Sequence, residues 1–334
     1  MVFRSSLLWS VLLVSSLANA WPFVRRRDVF DNAVDSQDGL IAHLSHLEGS
    51  LFGLPSNETG EKVAEWHEGA EVNPEELGEY AEGDILFPLG FGRNGLTAES
   101  SRWPGGVVPY IISPYFNSRQ RQLIMDAMAQ YHAHTCIRFK PYNGEESDYI
   151  RITAGTTGCW SSIGRVGGRQ DVNLQVPGCV TKIGTVIHEL MHVVGFLHEQ
   201  SRYERDDHVT IQWNNIQQGR AGNFEKASKG TSDAFGVGYD YGSVMHYSSN
   251  AFSTNGRPTI VPKVTCCVFK RRKKKHVQSR YEIQLQPGGL LNMIGEIFHG
   301  KTKVELGQRE GFSRKDIQKI RRMYRCSKRR RSYD

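Results

Sequence analysis

Between Leu7 and Leu17 the chain is almost continuously apolar, with Arg4 before the run and Ala18-Asn19-Ala20 after it. A basic start, a short apolar stretch and a small-residue cleavage site predict a secretory signal over residues 1–20 rather than a buried N-terminal helix. The run is too short to span a bilayer, and no later stretch is long and apolar enough to be a transmembrane helix. From Trp21 to Arg93 the apolar positions lose any regular period, which predicts a pro-segment or mobile arm rather than a second large domain. Regular patterns return after Trp103. Val107–Ile112 reads as a strand, Tyr149-Ile150-Arg151-Ile152-Thr153 alternates as a second, and Val172–Val176 gives a shorter third. Over Ser118–His132 the residues Leu123, Ile124, Ala127, Met128 and Tyr131 share one face, which predicts an amphipathic helix. Ser313-Arg314-Lys315-Asp316 has the form of a cap opening a last helix that runs to Tyr324.

Charge divides the chain at the same place as the hydrophobic pattern. Residues 1–93 hold 15 Asp and Glu against 6 Lys and Arg, whereas the whole chain carries a net charge of +7. The remainder is therefore strongly basic, although much of that charge sits in Lys270-Arg271-Arg272-Lys273-Lys274-Lys275 and in the tail 327–334. A signal for export disfavours reading the basic run as a nuclear address, and no nucleic-acid partner is expected. All 6 cysteines follow Arg93, as in an exported domain stapled by disulfides, and six cysteines allow 15 connectivities. Cys266 and Cys267 are adjacent, a spacing too short for a relaxed disulfide between them. Asn57-Glu58-Thr59 is a glycosylation sequon, which has meaning only in an exported chain.

The densest chemistry lies in His188-Glu189-Leu190-Met191-His192-Val193-Val194-Gly195-Phe196-Leu197-His198-Glu199. On a helix over about Thr181–Val194, His188 and His192 stand at i and i+4, so their imidazoles converge beside one face. Glu189 lies about 100° round from His188, where it can reach a water on a shared metal but not act as a third ligand. Gly195 can take a positive φ and end the helix, which would bring His198 back as a third nitrogen donor. Three neutral imidazoles with an open position suit catalytic zinc rather than a closed structural site. His132 and His134, near the end of the amphipathic helix, have no third partner at ligand spacing and read as cap or surface residues.

The long form H-E-x-x-H-x-x-G-x-x-H, followed by Glu199-Gln200-Ser201-Arg202-Tyr203-Glu204-Arg205-Asp206, resembles the astacin branch of the metzincin zinc peptidases. Glu204 stands where that family usually has Asp. Ser243-Val244-Met245-His246-Tyr247 is similar to the family's Met-turn. The resemblance implies an α+β fold: a two-subdomain catalytic domain over residues 94–326 with a twisted mixed sheet, an active-site helix and a Met-turn. It implies one zinc on His188, His192 and His198, Glu189 as general base, Tyr247 as a donor to the tetrahedral intermediate, and Met245 as an apolar floor. It also implies disulfides Cys136–Cys326 and Cys159–Cys179, and Val172–Val176 as the sheet edge on which a peptide substrate docks. In the family an F-x-G-D motif of the pro-segment places its Asp on the zinc. Asp84 and Gly83 match it, whereas the Phe position is Ala81 with Tyr80 one place earlier; taken alone, Gly83-Asp84 reads as a turn. Arg93-Asn94 resembles the activation site cut by a trypsin-like protease, and the freed α-amino group is expected to meet Glu199, a structural residue.

Residues 264–303 interrupt the resemblance, which resumes at Gly307-Gln308-Arg309. They read as an extra stretch from a misassembled gene model, or as a surface loop with a polyanion-binding patch. The expected function is a secreted zinc endopeptidase acting on proteins or peptides. Another metzincin branch is disfavoured by Glu199 and by the His-Tyr after Met245. A secreted binding protein with an unused site is the alternative from a different class.

Overall fold

The structure, a computed structural model, describes residues 52–87, 101–227, 235–263 and 304–327. The expected signal, the Arg93-Asn94 bond, the stretch 264–303, the paired Cys266 and Cys267 and most of the basic tail lie outside the described residues.

The fold is α+β. Strands β1 (Val107–Ile112), β2 (Arg138–Pro141), β3 (Tyr149–Thr153), β4 (Cys159–Ser161) and β5 (Arg169–Leu174) form a five-stranded sheet in the order β2-β1-β3-β5-β4. The first four strands in that order are parallel, and β4 alone runs antiparallel, pairing Cys159 with Leu174 and Ser161 with Val172. The mixed sheet is thus as expected, but its edge is not. Strand β5, which contains Val172, Asn173 and Leu174, lies between β3 and β4, so on that side the edge strand of the sheet is β4. The Cys159–Cys179 disulfide joins β4 to the turn before the next helix. Three residues are too few to display an alternation, so β4 leaves no periodic signal in the sequence.

Helix α2 (Ser118–His134) buries Ile124, Ala127, Met128 and Tyr131 against the sheet core, and Asn117 caps its first turn reciprocally with Gln120. His132 Nε2 accepts from the Phe139 amide at 2.9 Å, a structural bond that takes this histidine out of consideration as a ligand. Helix α3 (Ile183–Val193) is buried along nearly its whole length and packs on α2, with the Tyr131 hydroxyl donating to the Ile187 carbonyl at 2.7 Å. Beyond Gly195 the chain is mostly irregular, with a two-stranded ribbon of β6 (Val209–Ile211) and β7 (Ile260–Pro262) and a final helix α4 (Arg314–Met323). Ser313 and Asp316 form the capping box that opens α4. The Cys136–Cys326 disulfide then ties the end of α4 back to the end of α2.

The described part of the acidic N-terminal segment lies along this domain. Its helix α1 (Asn57–Ala64) packs through Val63 into the main core, and Ala81, Ile85 and Phe87 form a second cluster with Ile163, Val166 and Leu197. Asp84 to Leu86 run along the β4 edge, with Ile85 bridged to Ser161. The Ser161 amide donates to the Asp84 carbonyl at 2.9 Å, and the Leu86 amide donates to the Ser161 carbonyl at 3.0 Å. Among the described residues no helix is long and apolar enough to cross a membrane.

Candidate active site

Helix α3 places His188 and His192 one turn apart, with ring centroids 4.8 Å from each other. The helix ends because Gly195 adopts φ +112°, and the Phe196 amide then bonds the Met191 carbonyl at 3.1 Å. The backbone angle is what favours glycine there; a Cβ would lie 2.7 Å from the Met323 methyl, a flexible side-chain end that can shift. The turn returns the chain so that His198 Nε2 stands 3.3 Å from His188 Nε2, while His192 Nε2 stands 3.2 Å from the same atom.

The outward nitrogens of these rings are fixed by acceptors. His188 donates from Nδ1 to the Val244 carbonyl at 2.8 Å, and His192 donates from Nδ1 to the Phe196 carbonyl at 2.7 Å. His198 directs Nδ1 to a Glu82 carboxylate oxygen at 2.7 Å. A carbonyl can only accept, so the hydrogen of a neutral His188 or His192 is on Nδ1 and the Nε2 lone pair faces inward. With His198 Nε2, these place three buried ring nitrogens within about a hydrogen-bond length of one another, an arrangement that suits a shared cation.

Asp84 enters this cluster from the N-terminal segment. One oxygen lies 2.9 Å from His188 Nε2 and 3.3 Å from His198 Nε2, and the other lies 3.3 Å from His192 Nε2. Gly83 allows the approach, because its φ is +92° and a Cβ would press on the Phe252 ring at 2.9 Å. Asp84 and the three histidines are all buried and form a four-residue group able to hold a metal ion. One Asp84 oxygen and both Glu189 oxygens are buried with no hydrogen-bond partner. Orphaned carboxylate oxygens beside inward imidazole lone pairs suit a divalent cation and its water, so the donor set fits zinc. Burial and the nearby charge of Asp84 push the Glu189 carboxyl well above the usual carboxylate range.

Other site residues fall where the Met-turn brings them. Met245 is buried in the main core, and its carbonyl accepts from the Glu199 amide at 3.0 Å. Tyr247 lies with its ring 4.7 Å from that of His198, and its hydroxyl donates to the Glu82 carbonyl at 2.5 Å. Glu199 is buried and meets Lys319 at 2.5 Å, Arg202 at 2.9 Å and the Asp240 amide at 2.8 Å. Burial alone would raise its carboxyl, but Lys319 and Arg202 bring it down to about 2. Lys319 and Arg202 are thus cationic partners of Glu199 in the untrimmed chain.

Several participants escaped the sequence reading. Glu82 adjoins the matched Gly-Asp pair, yet nothing in its spacing points to His198. Glu75 pairs with Arg309 and accepts from Thr185 at 3.4 Å, and Glu76 accepts from the Ser248 amide at 2.7 Å and hydroxyl at 2.5 Å. These acids belong to the segment whose excess negative charge was visible only as a sum. At the Phe position of the motif, Ala81 packs with Ile85 and Phe87, while Tyr80 sets its ring 6.1 Å from Trp160.

Comparison with known proteins agrees with this geometry. The model of the Astacin peptidase family matches residues 95–284. Zinc metalloproteinase nas-15 of Caenorhabditis elegans is 42% identical over 224 residues, covering 67% of this chain and 32% of that protein. Zinc metalloproteinase nas-4 of the same organism is 35% identical over 260 residues, covering 75% of this chain and 70% of that protein. Among solved structures, high choriolytic enzyme 1, a hatching enzyme zinc-protease from Oryzias latipes, is 33% identical with a TM-score of 0.52, over 68% of this chain and 94% of that one. The chain spans only 32% and 46% of the length of nas-15 and nas-13. With its catalytic-type helix, its glycine stop and its Met-turn in one cleft, the chain belongs to the astacin family of peptidases.

Proposed function

We propose that the protein is a secreted zinc-dependent endopeptidase held latent by its own N-terminal segment. The observation that carries this reading is the meeting of three inward imidazole nitrogens with the partnerless carboxylate oxygens of Asp84 and Glu189 in one buried cleft. His188, His192 and His198 would hold the metal, and Asp84 would fill the open position until the segment is removed. When bound, zinc supplies Lewis-acid polarisation of a scissile carbonyl and lowers the pKa of water toward neutrality.

The chain's own residues do the rest. Glu189 accepts the proton of the attacking water and delivers it to the departing amine. Burial first, and then the charges of Asp84 and Glu75, hold its carboxyl well above the usual range in the untrimmed chain, and loss of the segment removes both of those acids. Tyr247 is held on the Glu82 carbonyl in the untrimmed chain; once freed, its hydroxyl is a donor for the oxyanion. Strand β4, whose edge backbone at Ser161 bonds Asp84 and Leu86 in the untrimmed chain, offers those same groups to a peptide backbone once the segment leaves. Ser161 also donates to the Glu189 carbonyl at 3.1 Å, so the edge and the base are mechanically joined.

Export rests on the signal-like first 20 residues and on two disulfides, which persist outside the cytosol. A trypsin-like cut after Arg93 is the activation step that the sequence favours. The test is a casein digestion assay on chain cut after Arg93, with and without a zinc chelator. Chelator-sensitive hydrolysis appearing only after the cut supports the reading; a trimmed, zinc-loaded chain without hydrolysis rejects it.

A further inference from the structure

The three imidazoles are not supported alike. His188 and His192 give their Nδ1 hydrogens to carbonyls of the catalytic domain, Val244 and Phe196. His198 instead meets Glu82, a residue of the segment that activation removes. The other Glu82 oxygen accepts from the Ser201 hydroxyl at 2.9 Å, on the turn that follows His198. The Glu82 carbonyl accepts from the Tyr247 hydroxyl. Glu82 is 2% exposed and holds φ +46°, a left-handed angle that a side chain adopts at a cost. That bend turns both its carboxylate and its carbonyl into the cleft, and the contacts made there offset the strain.

We propose that Glu82 is a second clamp of the zymogen, holding His198 from behind through Nδ1 while Asp84 occupies its inner side. The proposal rests on the zinc endopeptidase reading and extends it. Orienting a ligand imidazole through its outer nitrogen strengthens metal retention, and loss of such a partner typically costs about 10- to 100-fold in affinity. Untrimmed chain therefore grips its metal through a support that the trimmed chain lacks, and Glu82 also parks Tyr247. Latency is then a property of two neighbouring acids rather than of Asp84 alone.

The test follows zinc release from the untrimmed, zinc-loaded chain into excess chromophoric chelator. Glu82→Ala, with Asp84 in place, is expected to release zinc about 10-fold faster than the unaltered chain. Glu82→Gln keeps an oxygen that can accept from Nδ1, and is expected to fall between the two; it also carries the test if the alanine variant does not fold. Glu76→Ala serves as the comparison, because it breaks a contact of the same segment with Ser248 rather than with an imidazole. Little acceleration in Glu76→Ala supports the clamp, whereas equal acceleration in both variants means general loosening and overturns it. Equal release from the unaltered and Glu82→Ala chains also overturns it, even where the trimmed enzyme is active and binds zinc. After the cut at Arg93 residue 82 is gone, so all the chains should release zinc and cleave casein alike. Absence of zinc from the unaltered chain removes the endopeptidase reading and the clamp with it.

Discussion

Replacing Glu199 by Gln leaves Lys319 and Arg202 buried without the anion they share. All three side chains are fully buried, and Glu199 bonds Lys319 at 2.5 Å and Arg202 at 2.9 Å. Breaking a buried ion pair by removing one partner typically costs about 3–5 kcal/mol, because the remaining charge stays desolvated. Here the cost belongs near the lower end, about 3 kcal/mol. Arg202 keeps Glu204 and the Val237 carbonyl, and Lys319 keeps Asp316 at 3.6 Å. For a domain of this size each kcal/mol lowers Tm by about 2–4 °C, so a fall of roughly 6–12 °C is expected. The assay is thermal unfolding of the untrimmed chain followed by near-ultraviolet circular dichroism, with zinc equal in both samples. Lys319→Met removes the stranded charge, so the double variant should lose clearly less than the sum of the two single losses. A Glu199→Gln chain within about 2 °C of the original, or strictly additive losses, would refute the reasoning. So would a cost that appears only after trimming, since that would assign the charge balance of Glu199 to the freed α-amino group.

Three further outcomes are expected. Glu189→Gln should keep its zinc, measured by metal analysis, while casein hydrolysis by the trimmed chain falls at least about 100-fold; substantial residual turnover would remove Glu189 as the base. Gly195→Ala should destabilise by at least about 1 kcal/mol in denaturant unfolding, because φ is +112°, an angle that alanine adopts only under strain. His246 is buried, with Nδ1 donating to the Tyr247 carbonyl and Nε2 accepting from the Tyr239 hydroxyl, and burial lowers its pKa from 6.5 to about 4. Between those values the unfolded chain binds a proton that the folded chain refuses. Stability is thus full above pH 6.5 and declines as pH falls toward 4, by up to about 3 kcal/mol. His246→Gln should flatten that part of the stability profile, and an unchanged slope would contradict the assignment.

Much of the catalytic half was legible because its signals are local. The amphipathic face of α2, the capping box of α4 and the glycine after α3 are each set within one or two turns of chain. The i, i+4 histidines needed only the helix period to be placed together. What escaped depends on residues far apart in sequence. Strand β4 exists through its pairing with β5 and through Cys179, and Arg138–Pro141 carries one strongly apolar residue, Phe139, too little to display a strand. Nothing local marks Lys319 as a core residue, yet the fold buries it on Glu199, 120 residues earlier. Glu82 shares this history: its neighbour Asp84 had a motif to announce it, whereas the bond to His198 spans 116 residues.

The central claim is that His188, His192 and His198 hold one metal ion. Purified chain, cut after Arg93 and dialysed against metal-free buffer, should retain one zinc per molecule by elemental mass spectrometry. The same chain with His188 and His192 both changed to Asn should retain none while keeping the Cys136–Cys326 and Cys159–Cys179 disulfides. A trimmed, folded chain without stoichiometric zinc, or zinc that persists in the doubly substituted chain, would contradict the account.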